Sequence, residues 1–125
     1  MEIQVNQIKV NKKADPCFLV FDDMIGSIKF NSNIIKKLFS TFRHYNILII
    51  ISTQYLFSIP PLIRECTTYF VTFNIDSHRS IKAIYESFML EFDSLKIVKK
   101  FIKEHCIDYH FILIKTFEKK INILL

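Results

Sequence analysis

The chain has 125 residues and a net charge of +5; half of it is hydrophobic, 14% is aromatic, and it holds one Gly and three Pro. That balance excludes a disordered chain, a collagen-like chain and a Gly/Ser linker array, because so much apolar side chain must be buried, and the length suits one domain better than two cores. Three Cys without a C-x-x-C pair argue against a disulfide framework and for a reducing compartment.

Met1 to Lys13 has no apolar stretch behind a basic start, so it does not read as a secretory signal. Behind Pro16, the continuous apolar run Cys17 to Phe21 reads as a buried strand that stops at Asp22-Asp23. A helix follows. Asn31, Ser32 or Asn33 can cap it, Ile34, Ile35, Leu38, Phe39 and Phe42 share one face, and Lys36 and Lys37 take the wet side. Ile47 to Ile51 is a second continuous apolar strand closed by Ser52-Thr53-Gln54. Such runs are what parallel strands covered on both faces require. Pro60-Pro61 suits the first turn of a short helix through Glu65.

Tyr69 to Phe73 is a third strand candidate, rich in aromatic and β-branched residues. Ser77 caps a helix that aligns Ile81, Ile84, Tyr85 and Phe88, and a further helix from Ser94 to His105 buries Leu95, Val98, Phe101 and Ile102. On that helix Lys96, Lys99, Lys100 and Lys103 form a basic stripe whose plain reading is a solvated face. His110 to Lys115 and Lys120 to Leu125 read as a terminal hairpin joined through Phe117-Glu118-Lys119. Strands alternating with helices predict an α/β layered domain with a largely parallel sheet. The uncharged stretch Tyr45 to Ile63 approaches the roughly 18 to 20 residues of a membrane helix, but Ser52, Thr53, Gln54, Ser58 and the Pro pair break it, and no membrane partner is expected.

Ligands of open parallel sheets bind beyond the carboxyl ends of the strands, which is where Asp22-Asp23 and Ser52-Thr53-Gln54 fall. Alternation along a strand sends Asp22 and Asp23 to opposite sides, so one can hold a hydrated Mg²⁺ and the other can polarise a water. Gln54 can donate to a phosphate or to that water. The plainer reading is a strand end and a turn.

The order of these segments carries a resemblance. Phe18-Leu19-Val20-Phe21-Asp22-Asp23-Met24-Ile25 resembles the Walker B strand of the poxvirus-type virion DNA-packaging ATPases of large cytoplasmic DNA viruses, within the FtsK–HerA superfamily of P-loop motors. Lys37-Leu38-Phe39, Arg43-His44-Tyr45-Asn46-Ile47, Ile51-Ser52-Thr53-Gln54 and Ile59-Pro60-Pro61-Leu62-Ile63-Arg64 follow in that family's order, and the likeness is dense from Cys17 to Phe88. It implies Asp22 as the Mg²⁺-associated Walker B acid, Asp23 as the water-polarising acid, Gln54 as the sensor glutamine and Arg43 as an arginine finger acting on a neighbouring subunit. Arg64 matches a second recurrent Arg without an assigned role. Without the resemblance, Arg43 reads as a helix-end cation favoured by the macrodipole.

The same resemblance implies ATP and Mg²⁺ as cofactors, double-stranded DNA and a homo-oligomeric ring as partners, and the viral factory of the host cytoplasm or the virion as location. The departure is the phosphate cradle. A P-loop needs G-x-x-x-x-G-K-[ST], and Gly26, the only Gly, has no Lys-Ser or Lys-Thr pair behind it. In the family the cradle lies upstream of Cys17. Residues 1–125 are therefore expected to form a single partial ATPase-like domain, as a split-gene half, a truncation or a relic. ATP hydrolysis would then need a separate P-loop-bearing polypeptide. The alternative is a non-catalytic α/β binding or assembly module derived from such a motor.

Other chemistry has less support. Cys17, Cys66, Cys106, His44, His78, His105 and His110 lack zinc-like spacing, and no local signature supports a Cys/His nucleophile. Lys119-Lys120 could mark a hairpin tip on a DNA backbone.

Overall fold

A computed structural model of the chain describes residues 14–24, 26–118 and 120–124. The expectations for Met1 to Lys13, for Ile25 in the first motif and for Lys119 in the hairpin link lie outside the described residues. The chain divides into two compact units, one up to Gln54 and one from Tyr55 onward.

The described part of the first unit is a strand–helix–strand. β1 (Cys17–Asp22) and β2 (Ile47–Ser52) pair in parallel from Cys17↔Ile47 to Asp22↔Ser52, with α1 (Asn33–Thr41) in the crossover between them. Of the three caps the sequence offered, Ser32 is used: its Oγ accepts from the Ile35 N–H at 3.4 Å. Asn46 sets the start of the pairing. It sits in the left-handed region (φ 54°), its carbonyl accepts from Cys17 N–H at 3.1 Å, and its Nδ2 donates to the Ala14 carbonyl at 3.1 Å. The small core holds Phe21, Phe30, Leu38, Phe39 and Ile47, with the Phe21 and Phe30 rings edge to face at 6.0 Å. Ile34, grouped with this face in the sequence, is exposed in the first turn of α1.

Among the described residues, coverage of both strand faces, expected from the apolar runs, is not found. Phe18, Val20, Leu48 and Ile50 remain 74%, 50%, 59% and 46% exposed. The described crossover helix covers one face of this two-stranded sheet.

The second unit is built on an antiparallel sheet. After a 3₁₀ turn (Leu56–Ser58) and α2 (Pro61–Glu65) come β3 (Tyr69–Thr72), α3 (His78–Phe88), α4 (Leu95–His105), β4 (Phe111–Lys115) and β5 (Lys120–Leu124). The strand order is β3-β4-β5, so the terminal hairpin is present and β3 pairs with it, running antiparallel to β4. Together the units give a mixed α/β fold with a parallel pair, helices and a three-stranded antiparallel sheet.

Ser77 and Ser94 cap α3 and α4, each hydroxyl accepting a backbone N–H three residues on at 3.4 Å. The apolar stripes of both helices meet the sheet: Ile81, Ile84, Met89, Val98, Ile102, Ile112 and Ile114 are almost wholly buried in one cluster, together with Leu56. Phe70 stacks on Phe88 with centroids 4.2 Å apart. The lysine stripe is engaged in part with acids at the surface, through Lys100–Glu104 at 3.6 Å and Lys103–Asp76 at 2.8 Å. The hydrogen bond from Lys103 holds the Asp76 carboxyl below its ordinary range. Cys106 is buried with its Sγ 3.7 Å from the Thr72 carbonyl, and burial pushes its thiol pKa up. No disulfide joins Cys17, Cys66 and Cys106. Among the described residues, no helix is long and apolar enough to cross a membrane.

Two measurements test this packing. Ile112→Ala removes a fully buried side chain and should cost about 2–5 kcal/mol in urea unfolding, whereas Phe18→Ser, at an open position, should stay within about 0.5 kcal/mol. In timed thiol labelling at neutral pH, Cys17 and Cys66 should react first, and Cys106 should react at a comparable rate only in denaturant.

Candidate functional site

The parallel register decides where the acids go. Asp22 is the last residue of β1 and lies opposite Ser52, the last of β2, and the Asp23 N–H donates to the Ser52 carbonyl at 3.1 Å. Gln54 follows two residues after Ser52, so the chain leaves both strands at the carboxyl end of the pair through Asp22, Asp23 and Gln54. All three are exposed. Asp22 belongs to the row of Phe18 and Val20, paired with Leu48, Ile50 and Ser52.

Asp23 departs from the alternation read in the sequence. It has left the strand and adopts a left-handed conformation (φ 46°), so its side-chain direction is set by the turn and not by the pleat. Beyond it, Ser27 and Ile28 N–H groups both donate to the Met24 carbonyl at 3.1 Å, closing a tight turn around Gly26 at φ 88°. That turn needs the Gly for its backbone.

Arg43 lies at the other end. It follows α1 in the turn that leads into β2, its guanidinium carbon 5.4 Å from the Phe42 ring centroid. With Pro16, Cys17, Asn46, Ile47 and Leu48 it lines an open hollow of about 300 Å³ at the amino end of the strands. The five residue steps from Cys17 to Asp22 span about 17 Å of strand between that hollow and the acidic edge.

Arg64 has a structural place that the sequence did not disclose. Its Nε donates to the Ile59 carbonyl at 3.0 Å, and its Nη1 donates to Ser87 Oγ at 2.7 Å. It thus ties the segment before α2 to the last turn of α3. The sequence reading also missed Asn46, for which the signal was an Asn directly before an apolar run, a residue type that tolerates the left-handed region.

As donors, Asp22 and Ser52 at one strand edge suit Mg²⁺, which takes one or two protein oxygens and keeps several waters. A triphosphate does not fit the described residues by themselves, because none forms the backbone cradle and Lys that phosphates require. Among the described residues no group of three or more His, Cys, Asp or Glu is placed to hold a metal ion.

A strand–helix–strand ending in acids and a glutamine, followed by an antiparallel hairpin unit, is what comparison with known proteins can now place. The model of the Poxvirus A32 protein family matches residues 1–117. The chain belongs to that family. The fold is also that of solved viral packaging enzymes. B204, the DNA-packaging ATPase from Sulfolobus turreted icosahedral virus, aligns with a TM-score of 0.71 at 18% identity, covering 98% of this chain and 56% of that one. The genome packaging NTPase B204 from Sulfolobus turreted icosahedral virus 2 in complex with AMPPCP gives 0.69 at 19%, covering 86% and 53%. Its complex with ATP-gammaS gives 0.71 at 18%, covering 98% and 56%. This member of the Poxvirus A32 protein family therefore spans little more than half the length of those structures. No curated protein compared with the chain matches it.

The turn at the acidic edge can be tested by stability alone. Asp23→Gly should leave stability unchanged or raise it, and Asp23→Val should lower it by about 1–2 kcal/mol, since a β-branched residue is strained at positive φ. Urea unfolding of the two variants checks the pair.

Proposed function

We propose that the chain is the carboxyl-terminal portion of a viral DNA-packaging, DNA-translocating ATPase and works with a P-loop segment supplied from elsewhere. The observation that carries this reading is the register that ends β1 at Asp22 opposite Ser52, with Gln54 on the same edge, in a chain of the Poxvirus A32 protein family. Residues 1–125 then act as one partial ATPase-like domain within a homo-oligomeric ring around double-stranded DNA, in the viral factory or the virion.

In this reading Asp22 is the Walker B acid and would hold hydrated Mg²⁺ through its carboxylate. The ion, when bound, offsets the negative charge of the phosphates. Asp23 orients the attacking water and accepts its proton, and the Gln54 amide fixes that water or a phosphate oxygen. Arg43 serves a neighbouring subunit as an arginine finger, which its distance along the strands from Asp22 favours. The phosphates themselves are held by the P-loop segment.

A second reading, a non-catalytic α/β binding or assembly module descended from such a motor, is favoured by the missing phosphate cradle. Turnover separates the two. The chain alone should neither bind Mg-ATP at low micromolar concentration nor hydrolyse it. Mixed with a P-loop-bearing polypeptide of its family it should gain ATPase activity, and Asp22→Asn should abolish it. In that assembly, Arg43→Ala should cost roughly 10³ in turnover with little change in nucleotide affinity. Persistent inactivity of a mixture that does assemble would leave the module reading.

A further inference from the structure

The antiparallel sheet of the second unit has two unlike faces. One carries Phe70, Ile112 and Ile114 into the cluster formed with α3 and α4. On the other, register and alternation set Val71, Leu113 and Asn122 in one crosswise row, with Tyr69 toward one end and Phe73 and Phe111 toward the other. Antiparallel sheets commonly turn one face to water, but that face is then polar. Here it is apolar and open: Tyr69, Phe73 and Phe117 are 57%, 59% and 58% exposed, and Val71 and Leu124 are also exposed. The rings of Tyr69 and Phe117, and those of Phe73 and Phe111, stand 5.7 Å apart, so the aromatic side chains are ordered before anything covers them.

We propose that this face is a two-fold interface on which a second copy of the chain packs its own β3–β4–β5 sheet. Every residue of the contact belongs to the second unit, apart from the residues assigned to ATP chemistry. The size of the face suits that occupant. At the 150–250 Å² of a large side chain, the exposed parts of Tyr69, Val71, Phe73, Phe117 and Leu124 come to roughly 500 Å². With half-buried Phe111 and Leu113 and a polar rim, this approaches the about 800 Å² per partner of a stable interface. Charge chooses the orientation. Lys115 and Lys120 are cross-strand partners at the Tyr69 end, where Glu118 meets only Lys115, at 3.6 Å; the exposed Asp108 precedes β4 at the Phe111 end. A two-fold axis lying across the strands sets the Lys120 end of each copy over the Asp108 end of the other, whereas an axis along the strands would bring the lysines together. The same crosswise axis sets Asn122 over its own copy. Its Nδ2 is buried without a hydrogen-bond partner, and in sheets stacked about 10 Å apart two facing amides come within reach of each other.

Sedimentation equilibrium of the full chain provides the test. The chain should weigh as a dimer at tens of micromolar and dissociate on dilution. Phe73→Glu should weaken association at least tenfold and leave the unfolding midpoint of the dilute chain unchanged, and Arg43→Ala, in the first unit, should leave association intact. Asn122→Asp should make association fall as pH rises through the carboxylate range, because two carboxylates then face each other. Asp108→Asn and Lys120→Gln should each weaken it about threefold, and together by no more than either alone. The pH profile and this pair decide the matter should Phe73→Glu fail to fold. A chain that stays monomeric at tens of micromolar, a dimer indifferent to a folded Phe73→Glu variant, a dimer lost with Arg43→Ala, association of Asn122→Asp that does not change with pH, or additive losses from Asp108→Asn and Lys120→Gln would overturn the proposal.

Discussion

Hydrogen bonding between Cys17–Asp22 and Ile47–Ser52 holds two distant chain segments in parallel and in a register that ends both strands together. Because side chains alternate along a strand, a slip of one residue would turn every side chain of β1 to the other face. Phe21 would leave the core, Phe18 would enter it, and Asp22 would no longer stand opposite Ser52. The register is fixed from both ends. Asn46, left-handed and bonded to Cys17 and Ala14, begins it, and the Asp23 N–H on the Ser52 carbonyl closes it. The position of the acids is thus a consequence of backbone pairing and needs no contact among the acids themselves.

The two units are stabilised to different degrees by the same physics. In the second unit, six large apolar side chains among Ile81, Ile84, Met89, Ile102, Ile112 and Ile114 are at most 2% exposed, each contributing on the order of 1.5–3 kcal/mol of burial. Both helices there have a sheet face to cover, and Arg64 ties α2 to α3 with hydrogen bonds to buried or half-buried partners. The first unit forgoes much of that gain. Phe18 alone leaves most of a large aromatic surface in water, and its neighbours Val20, Leu48 and Ile50 add to it. Among the described residues, the strand pair that carries the acids is also the one that leaves most large apolar side chain in water on one of its faces.

Much of this was legible in the sequence, for identifiable reasons. Uninterrupted Ile and Leu from Ile47 to Ile51, the caps Ser32, Ser77 and Ser94, and Pro61 at a helix start are local signals, and the elements they mark are present. The carboxyl-edge position of Asp22 and Gln54 followed from parallel pairing. What was not legible depends on tertiary partners. The pairing of Tyr69–Thr72 with the hairpin instead of a parallel neighbour is a matter of which strand edge is near, and composition does not encode it. The openness of Phe18 was hidden because a buried run reads the same whether or not its cover is at hand. The left-handed turn at Asp23 was hidden because an Asp at the end of a strand can take either sign of φ, and the apolar run before it does not say which.

The geometry also restricts how the candidate residues can cooperate. A single strand–helix–strand sends the loop after β1 to one edge and the turn before β2 to the other, so Asp22 and Arg43 are separated by the length of the strands, about 17 Å over five residue steps. An arginine side chain does not bridge that distance. Any chemistry that unites Arg43 with an Asp22–Asp23–Gln54 edge must therefore draw them from two chains, with the amino end of one parallel pair facing the carboxyl edge of the next. Such head-to-tail contacts are heterologous, and they close into rings when the rotation between neighbours permits. In the proposed motor the opposite polarity of these two sites within one chain thus becomes the condition for shared sites between chains.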